Sequence, residues 1–278
     1  MSYVELHCKS NFSFLEGASH ADELLQRAAE LGYAGLAITD RNSLAGIVRA
    51  HTAAKDAKLQ LIVGAELHPI DGPPLVVWPS NRAAYARLCR IITRGRLRRE
   101  KGGCDIKWAD LFELNEGLLA GLLLRQPVPD QLPPADMQHF SDEESMPWEY
   151  EDPSANNETF GADPTTVPAA LRKQWLGDDR AASELPSVNF DPREDEPWLQ
   201  WLGLFRETFG DRGYLLAELH RGVDDAAKLE RLLRLEQLSS VPLVAAGDVH
   251  YHCSQRALLH DCLLATRFAT TIDQIASE

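Results

Sequence analysis

The chain has 278 residues, enough to bury one large α/β core or two small ones. It contains no run of about eighteen apolar residues, and its start, MSYVELHCKS, lacks a basic and then apolar leader, so a membrane-spanning helix is excluded and a cytoplasmic protein is expected. The net charge of −14 disfavours a nucleic-acid partner only at first sight, because Pro127–Pro197 holds 17 Asp and Glu against 4 Lys and Arg and so accounts for −13 of it. The five cysteines, Cys8, Cys89, Cys104, Cys253 and Cys262, are odd in number and contain no C-x-x-C pair, which speaks against a disulfide framework or a zinc knuckle.

In chain order, Val4–Leu6 reads as a strand and Ala21–Leu31 as a helix, followed by a strand at Leu36–Thr39 and a helix at Leu44–Ala57. Strands follow at Leu61–Leu67 and Leu75–Trp78, then a helix at Arg82–Arg94 and a strand at Leu118–Leu124. Residues 127–197 break the pattern: the stretch holds 11 of the 16 prolines, has neither helical nor strand periodicity, and is expected to be a largely disordered acidic insertion. Its Phe140, Trp148, Tyr150 and Phe160 are candidates for local docking. Regularity returns with a helix at Leu199–Phe209, a strand at Tyr214–Leu219, a helix at Ala226–Leu238, a strand at Leu243–Ala246 and a helix at Gln255–Thr266. About seven strands, each followed by a helix, predict a parallel sheet with right-handed crossovers. Closed into a ring, residues 1–126 and 198–278 make a distorted TIM-like (βα)7-type barrel. An open doubly wound sheet is the alternative, but it calls for a glycine-rich turn after the first strand, and HCKSNFSF is not one.

Functional side chains of a parallel barrel gather where strands end. Those ends carry His7 and Lys9, then Asp40 and Arg41, then Glu66, and finally Asp248 and His250, with Glu16 in the loop behind His7. Alternation puts His7 and Lys9 on one face, and Asp248 and His250 on one face if that stretch is extended. His51, His68, His220, His252 and His260 read as surface or hydrogen-bonded histidines, with His220 near enough to a strand end to reach the mouth. A basic run, Arg90, Arg94, Arg96, Arg98, Arg99 and Lys101, is opposed only by Glu100; it is either a solvated helix end, a docking surface or a strip that touches phosphates.

The segments HCKSNFSFLEG, GLAITDRNSLAG, IVGAEL, LVVWPSNRAAYARLCRIIT and VPLVAAGDVHYH, in this order, resemble the successive motifs of the PHP domain of bacterial C-family DNA polymerases. ELHCKSNFSFLEGASH, RGRLRREKGGC and AELHRG look most like the error-prone branch. The resemblance implies a PHP barrel, a role in translesion DNA synthesis, and a polymerase body several hundred residues long beyond Glu278 that would use Mg²⁺. It also implies DNA, a sliding clamp and translesion adaptor proteins as partners of the whole protein, and no membrane.

Active members of this family resemble one another in holding up to three divalent ions with His, Asp and Glu. Against that pattern His7, Glu16, Asp40, Glu66, Asp248 and His250 stand at ligand positions, while Lys9 replaces the second His of an H-x-H and Arg41 replaces the His after the T-D pair. No His occurs around Pro74 and Leu75, where the family has one, nor after the Leu118–Leu124 strand, where the family has a His or Cys. Lysine and arginine do not ligate while protonated, so a vestigial metal site is expected, with Lys9 and Arg41 salt-bridged to Glu66, Asp248 or Glu16. No cofactor and no catalysis are expected of this domain; any residual single-metal site would use His7, Glu66, Asp248 and His250. The competing readings are a metal-dependent phosphoesterase, as a 3′–5′ exonuclease or a histidinol-phosphatase-like enzyme, and a free-standing interaction module.

Overall fold

In the computed structural model, residues 3–125 and 192–275 are described. The first part opens with β1 (Val4–Glu5), α1 (Ala21–Glu30), β2 (Gly35–Ile38), α2 (Ile47–Ala57), β3 (Gln60–Val63) and β4 (Ala65–Leu67). It continues with β5 (Leu75–Pro79), α3 (Arg82–Leu97), α4 (Trp108–Leu114) and β6 (Leu118–Leu122). The second part holds α5 (Pro192–Phe209), β7 (Gly213–Glu218), α6 (Asp225–Ser239), β8 (Leu243–Ala246), α7 (Ala257–Phe268) and α8 (Ile272–Ile275).

Capping fixes where helices begin. Glu23 accepts a hydrogen bond from the backbone N–H of His20 at 2.8 Å, and the Asn81 side chain accepts one from Ala84 N–H at 2.9 Å, which satisfies donors that the first turn leaves free.

β1, β2 and β3 form an all-parallel sheet, and β4 to β8 form a second sheet in sequence order. Within the second, β6, β7 and β8 run parallel, whereas β5 is antiparallel to both β4 and β6. Two features depart from the predicted parallel repeat: β5 runs antiparallel to its neighbours, and the single strand expected over Leu61–Leu67 is two strands separated by Gly64. At Gly64 a Cβ would stand 2.8 Å from both Trp78 Cδ1 and Val77 O, so only glycine lets the chain pass from one sheet to the other here.

The two sheets join into a distorted barrel at both seams. Parallel bridges connect Cys8 to Val249 and Arg41 to Glu66. At the first, Lys9 N–H donates to Val249 O at 2.8 Å and Val249 N–H to His7 O at 3.0 Å. Across the ring, Trp78 Nε1–H on β5 donates to Leu6 O at 3.0 Å. The enclosed space is filled by Ala37, Val76, Trp78, Leu123, Leu216 and Ala246, drawn from both sheets. Outside, α1 and α2 pack on β1–β3, and an aromatic layer of Trp108, Trp198, Trp201, Phe205 and Phe209 packs on the second sheet.

α5 begins at Pro192, not Leu199, so residues 192–197 of the stretch assigned to the insertion are helical. Asp195 is buried there and pairs with Arg231 Nε at 2.7 Å and Arg234 Nη2 at 3.2 Å of α6, which fixes this turn against its neighbour. The remaining insertion, residues 127–191 with Phe140, Trp148, Tyr150 and Phe160, lies outside the described residues. All five cysteines are free thiols. Among the described residues no helix is long and apolar enough to cross a membrane.

Candidate functional site: an ion cluster at the barrel mouth

The ends of β1, β4, β6, β7 and the turn after β8 bring charged side chains to one place. Lys9 is 2% exposed, and its Nζ lies 2.7 Å from Glu66 Oε2, 3.0 Å from Asp248 Oδ1 and 3.6 Å from Glu16 Oε2. The His7 ring is fully buried and donates from Nδ1 to Glu218 Oε1 at 2.5 Å and from Nε2 to Glu66 Oε2 at 3.1 Å. Arg125, just past β6, donates from Nη1 to Glu66 Oε1 at 2.8 Å and from Nη2 to Asp248 Oδ2 at 2.8 Å and Glu218 Oε2 at 3.4 Å.

Burial works against the His7 imidazolium, but the hydrogen bonds to Glu218 and Glu66 outweigh it and push the group up to about 10. Both ring nitrogens therefore carry protons at neutral pH. Burial likewise opposes charge on Lys9 and Arg125, and the facing carboxylates Glu66 and Asp248 nonetheless hold both above their ordinary values. Glu66 and Asp248 are held below the usual carboxylate range: burial is overridden at Glu66 by hydrogen bonds from His68 and His7, and at Asp248 by the bond from His250 and the charges of His7 and Lys9. Three basic side chains, His7, Lys9 and Arg125, thus interleave with the carboxyl groups of Glu66, Glu218 and Asp248.

Of the residues read from the sequence, His7, Lys9, Glu16, Glu66, Asp248 and His250 converge. Asp248 does so from φ 46°, a left-handed backbone, so the extended stretch that would put it and His250 on one face is not formed; His250 still reaches it, donating from Nε2 to Oδ1 at 3.1 Å. The other His250 nitrogen lies 2.8 Å from His260 Nε2. Arg41 stands one step outside the centre, partly exposed, and pairs with Glu16 Oε1 at 2.7 Å, an oxygen that also meets Arg267 Nη1. Asp40 turns away: its carboxylate accepts from Ser10 N–H and Oγ–H, both at 2.8 Å, and from Ser13 Oγ–H at 2.7 Å, so it braces the loop after β1.

Sequence reasoning missed Glu218 and Arg125, whereas His68 and His260, read as surface or hydrogen-bonded histidines, bond here to Glu66 and His250. Glu218 and Arg125 sit at or just past the ends of β7 and β6, the same signal that found the others, while His68 donates to Glu66 at 2.7 Å from two residues away. His220, a candidate for the mouth, is exposed and bonds through Nε2 to Gly247 O at 3.2 Å.

The basic run is mostly consumed within the fold. Arg94 makes a two-bond pair with Glu113 at 2.5 and 2.8 Å, Arg98 one with Asp110 at 2.5 and 2.7 Å, and Arg99 Nε meets Asp105 at 2.8 Å. Arg96 donates to the carbonyls of Gly103 and Asn42 at 3.2 and 3.0 Å. Only Arg90 and Lys101 of the run lack such partners among the described residues, so most of its charge is paired within the fold.

Whether these residues fit a divalent ion is decided by charge. Ligand atoms of His7, Glu218 and Asp248 lie within 4.8 Å of one another, a spacing that could serve a metal. That trio substitutes Glu218 for the Glu66 and His250 expected in a residual site. Yet His7 is doubly protonated, and Lys9 and Arg125 already sit on the carboxylates. At about 4 Å and an effective dielectric of about 20, each fixed unit charge repels a divalent ion by roughly 8 kcal/mol. The carboxylates of Glu66, Glu218 and Asp248 attract such an ion at similar range, so the two cations oppose it by charge while the spacing of the trio remains that of a metal site.

A barrel whose strand ends present this altered ligand set defines the class. The PHP domain model matches residues 5–144, and the chain belongs to the PHP domain family. Along its whole length it is similar to the error-prone DNA polymerase of Rhodopirellula baltica, 44% identical over 278 residues that make up 19% of that protein. It is 39% identical over 266 residues, 96% of the chain, to the error-prone DNA polymerase of Pseudomonas aeruginosa, again covering 19% of it. The chain therefore spans about a fifth of the length of these relatives. Among solved structures, an amidohydrolase from Chromobacterium violaceum aligns with a TM-score of 0.47 and 13% identity over 90% of this chain and 88% of that one, a likeness too distant to bear on the site.

Proposed function

We propose that this chain is the PHP domain of an error-prone DNA polymerase that acts in translesion synthesis, and that the domain itself is a catalytically silent structural module. The observation that carries the second half is Lys9, with its ammonium 2.7 Å from Glu66 and 3.0 Å from Asp248, backed by Arg125. In this reading the cations tie the ends of five strands together electrostatically. The first half is supported by the similarity to error-prone polymerases along the whole chain. It carries with it a cytoplasmic location, a polymerase portion in the same polypeptide with Mg²⁺ as its cofactor, and DNA, a sliding clamp and translesion adaptors as partners.

The test uses the full-length polypeptide. It should extend a primer with Mg²⁺ past a lesion, and with Mn²⁺ or Zn²⁺ it should release no nucleotides from a single-stranded 3′ end and hydrolyse no chromogenic phosphodiester. Metal-dependent hydrolysis that Asp248→Asn abolishes would overturn the silent-module reading and restore the phosphoesterase.

A further inference from the structure

Helix α7 is held to the barrel by charge more than by packing. Its sequence, ALLHDCLLATRF, is rich in apolar residues, yet Ala265 is its only buried residue and Leu259 is 40% exposed. Leu259 and Leu263 share an open groove of about 260 Å³ with Phe14 and Leu15 of the loop after β1, so this contact closes off little apolar area. Three polar links do the holding. Arg256, at the helix cap, donates from Nη2 to Glu23 Oε1 of α1 at 2.6 Å. His260 Nε2 lies 2.8 Å from Nδ1 of His250 in the turn after β8, and in the last turn Arg267 pairs with Glu16 in the loop after β1. On a helix of 3.6 residues per turn, positions 256, 260 and 267 fall within about 40° of one another, so a single stripe carries all three links to three separate elements.

Glu16 is the anchor that reaches the centre of the ion cluster. Its Oε1 meets both Arg267 and Arg41, the latter at 2.7 Å, and its Oε2 lies 3.6 Å from the Nζ of Lys9, itself paired with Glu66 and Asp248. Lys9 and Arg41 remain beside Glu16 if the helix leaves, so its carboxylate keeps a counter-charge in either state. Arg267, by contrast, makes no other ion pair among the described residues. We propose that α7 is an electrostatic strap, seated or released as a unit according to the hold of Glu16 on Arg267 while the barrel beneath it stays folded. The mouth and the α7 surface are then coupled sites: whatever changes the pairing of Glu16 changes the seating of the helix, and whatever displaces the helix changes the charge facing Lys9. The inference stands on this geometry and does not depend on the polymerase reading.

Hydrogen–deuterium exchange on the full-length polypeptide tests this. In Glu16→Gln the amides of α7 should exchange at least about ten-fold faster than in wild type, the scale of losing one charge-assisted hydrogen bond, while β2 and β7 keep their rates. Arg267→Gln, at a partly exposed side chain that the barrel does not need in order to fold, should release the helix to the same degree. The double variant should exchange no faster than either single one, because both delete one contact. Unchanged α7 rates in Arg267→Gln, or effects that add in the double variant, would overturn the inference. So would acceleration spread equally over α7 and the strands, which would mean that Glu16 holds the barrel as a whole and not a strap.

Discussion

Replacing Lys9 by methionine keeps most of the side-chain volume and removes the charge at the centre of the cluster. In the wild-type protein the ammonium is 2% exposed and contacts Glu66, which is fully buried, and Asp248, whose side chain is 9% exposed. Deleting one partner of such a pair leaves its carboxylates uncompensated and costs about 3–5 kcal/mol. Arg125 continues to hold the outer oxygens of both, which places the loss toward the lower figure. The urea midpoint at pH 7 reads this directly, with m unchanged. The pH dependence carries a sign. Glu66 and Asp248 have depressed values in the folded protein, so their stabilisation is present above the ordinary carboxylate range and is lost as pH falls through the folded values. Without Lys9 that depression weakens, and the gap between wild type and variant should be widest at neutral pH and narrow on acidification. A Lys9→Met protein within 0.5 kcal/mol of wild type, by an ordinary error of about that size, or a gap that widens toward acid, would refute the electrostatic account.

His7 gives the alkaline counterpart: raised from 6.5 to about 10, its contribution is complete below pH 6.5 and is lost as pH rises through about 10, so stability should decline across that window and His7→Gln should flatten the decline. An unchanged slope in denaturant midpoints taken at several pH values would count against a protonated His7. Asp195→Asn should lower stability by about 1–3 kcal/mol in urea unfolding, because Arg231 and Arg234 lose a buried carboxylate while keeping partial access to water; a neutral result would mean that the first turns of α5 are not docked on α6. Gly64→Ala should cost about 1–3 kcal/mol by thermal unfolding, since the added methyl meets Trp78 and the Val77 carbonyl; a stabilised variant would contradict the tight passage between the sheets.

Much of this arrangement was legible in the sequence, and the exceptions share a cause. Strand runs and helical periods revealed most elements, because burial on one or both faces imposes them locally. Strand direction is not written in that periodicity: Leu75–Pro79 has the same apolar run whether its neighbours run with it or against it, so the antiparallel pairing of β5 was invisible. Nor could the chain show that Leu61–Leu67 changes sheets at Gly64, although an isolated glycine in a strand signals such a departure. Helix α4, Trp108–Leu114, is too short to display a period clearly. At the mouth, the position of His7, Lys9, Glu66 and Asp248 at strand ends was enough to bring them together. Asp40 shows the limit of that rule, since the nearby hydroxyls of Ser10 and Ser13 claimed its oxygens first. Arg125 lies at the edge of the proline-rich stretch, where a lone arginine carries no periodic signal, yet it pairs with Glu66 and Asp248 at the mouth.

Calorimetric titration of the purified protein with Zn²⁺ and with Mn²⁺, alongside a Lys9→Met, Arg125→Gln double variant, tests the central claim most directly. The account predicts no saturable heat from wild type at micromolar metal and new, chelator-reversible binding in the double variant, whose His7, Glu218 and Asp248 donors are freed of both cations. One tightly bound ion per wild-type chain, with Lys9 and Arg125 still in place, would contradict it.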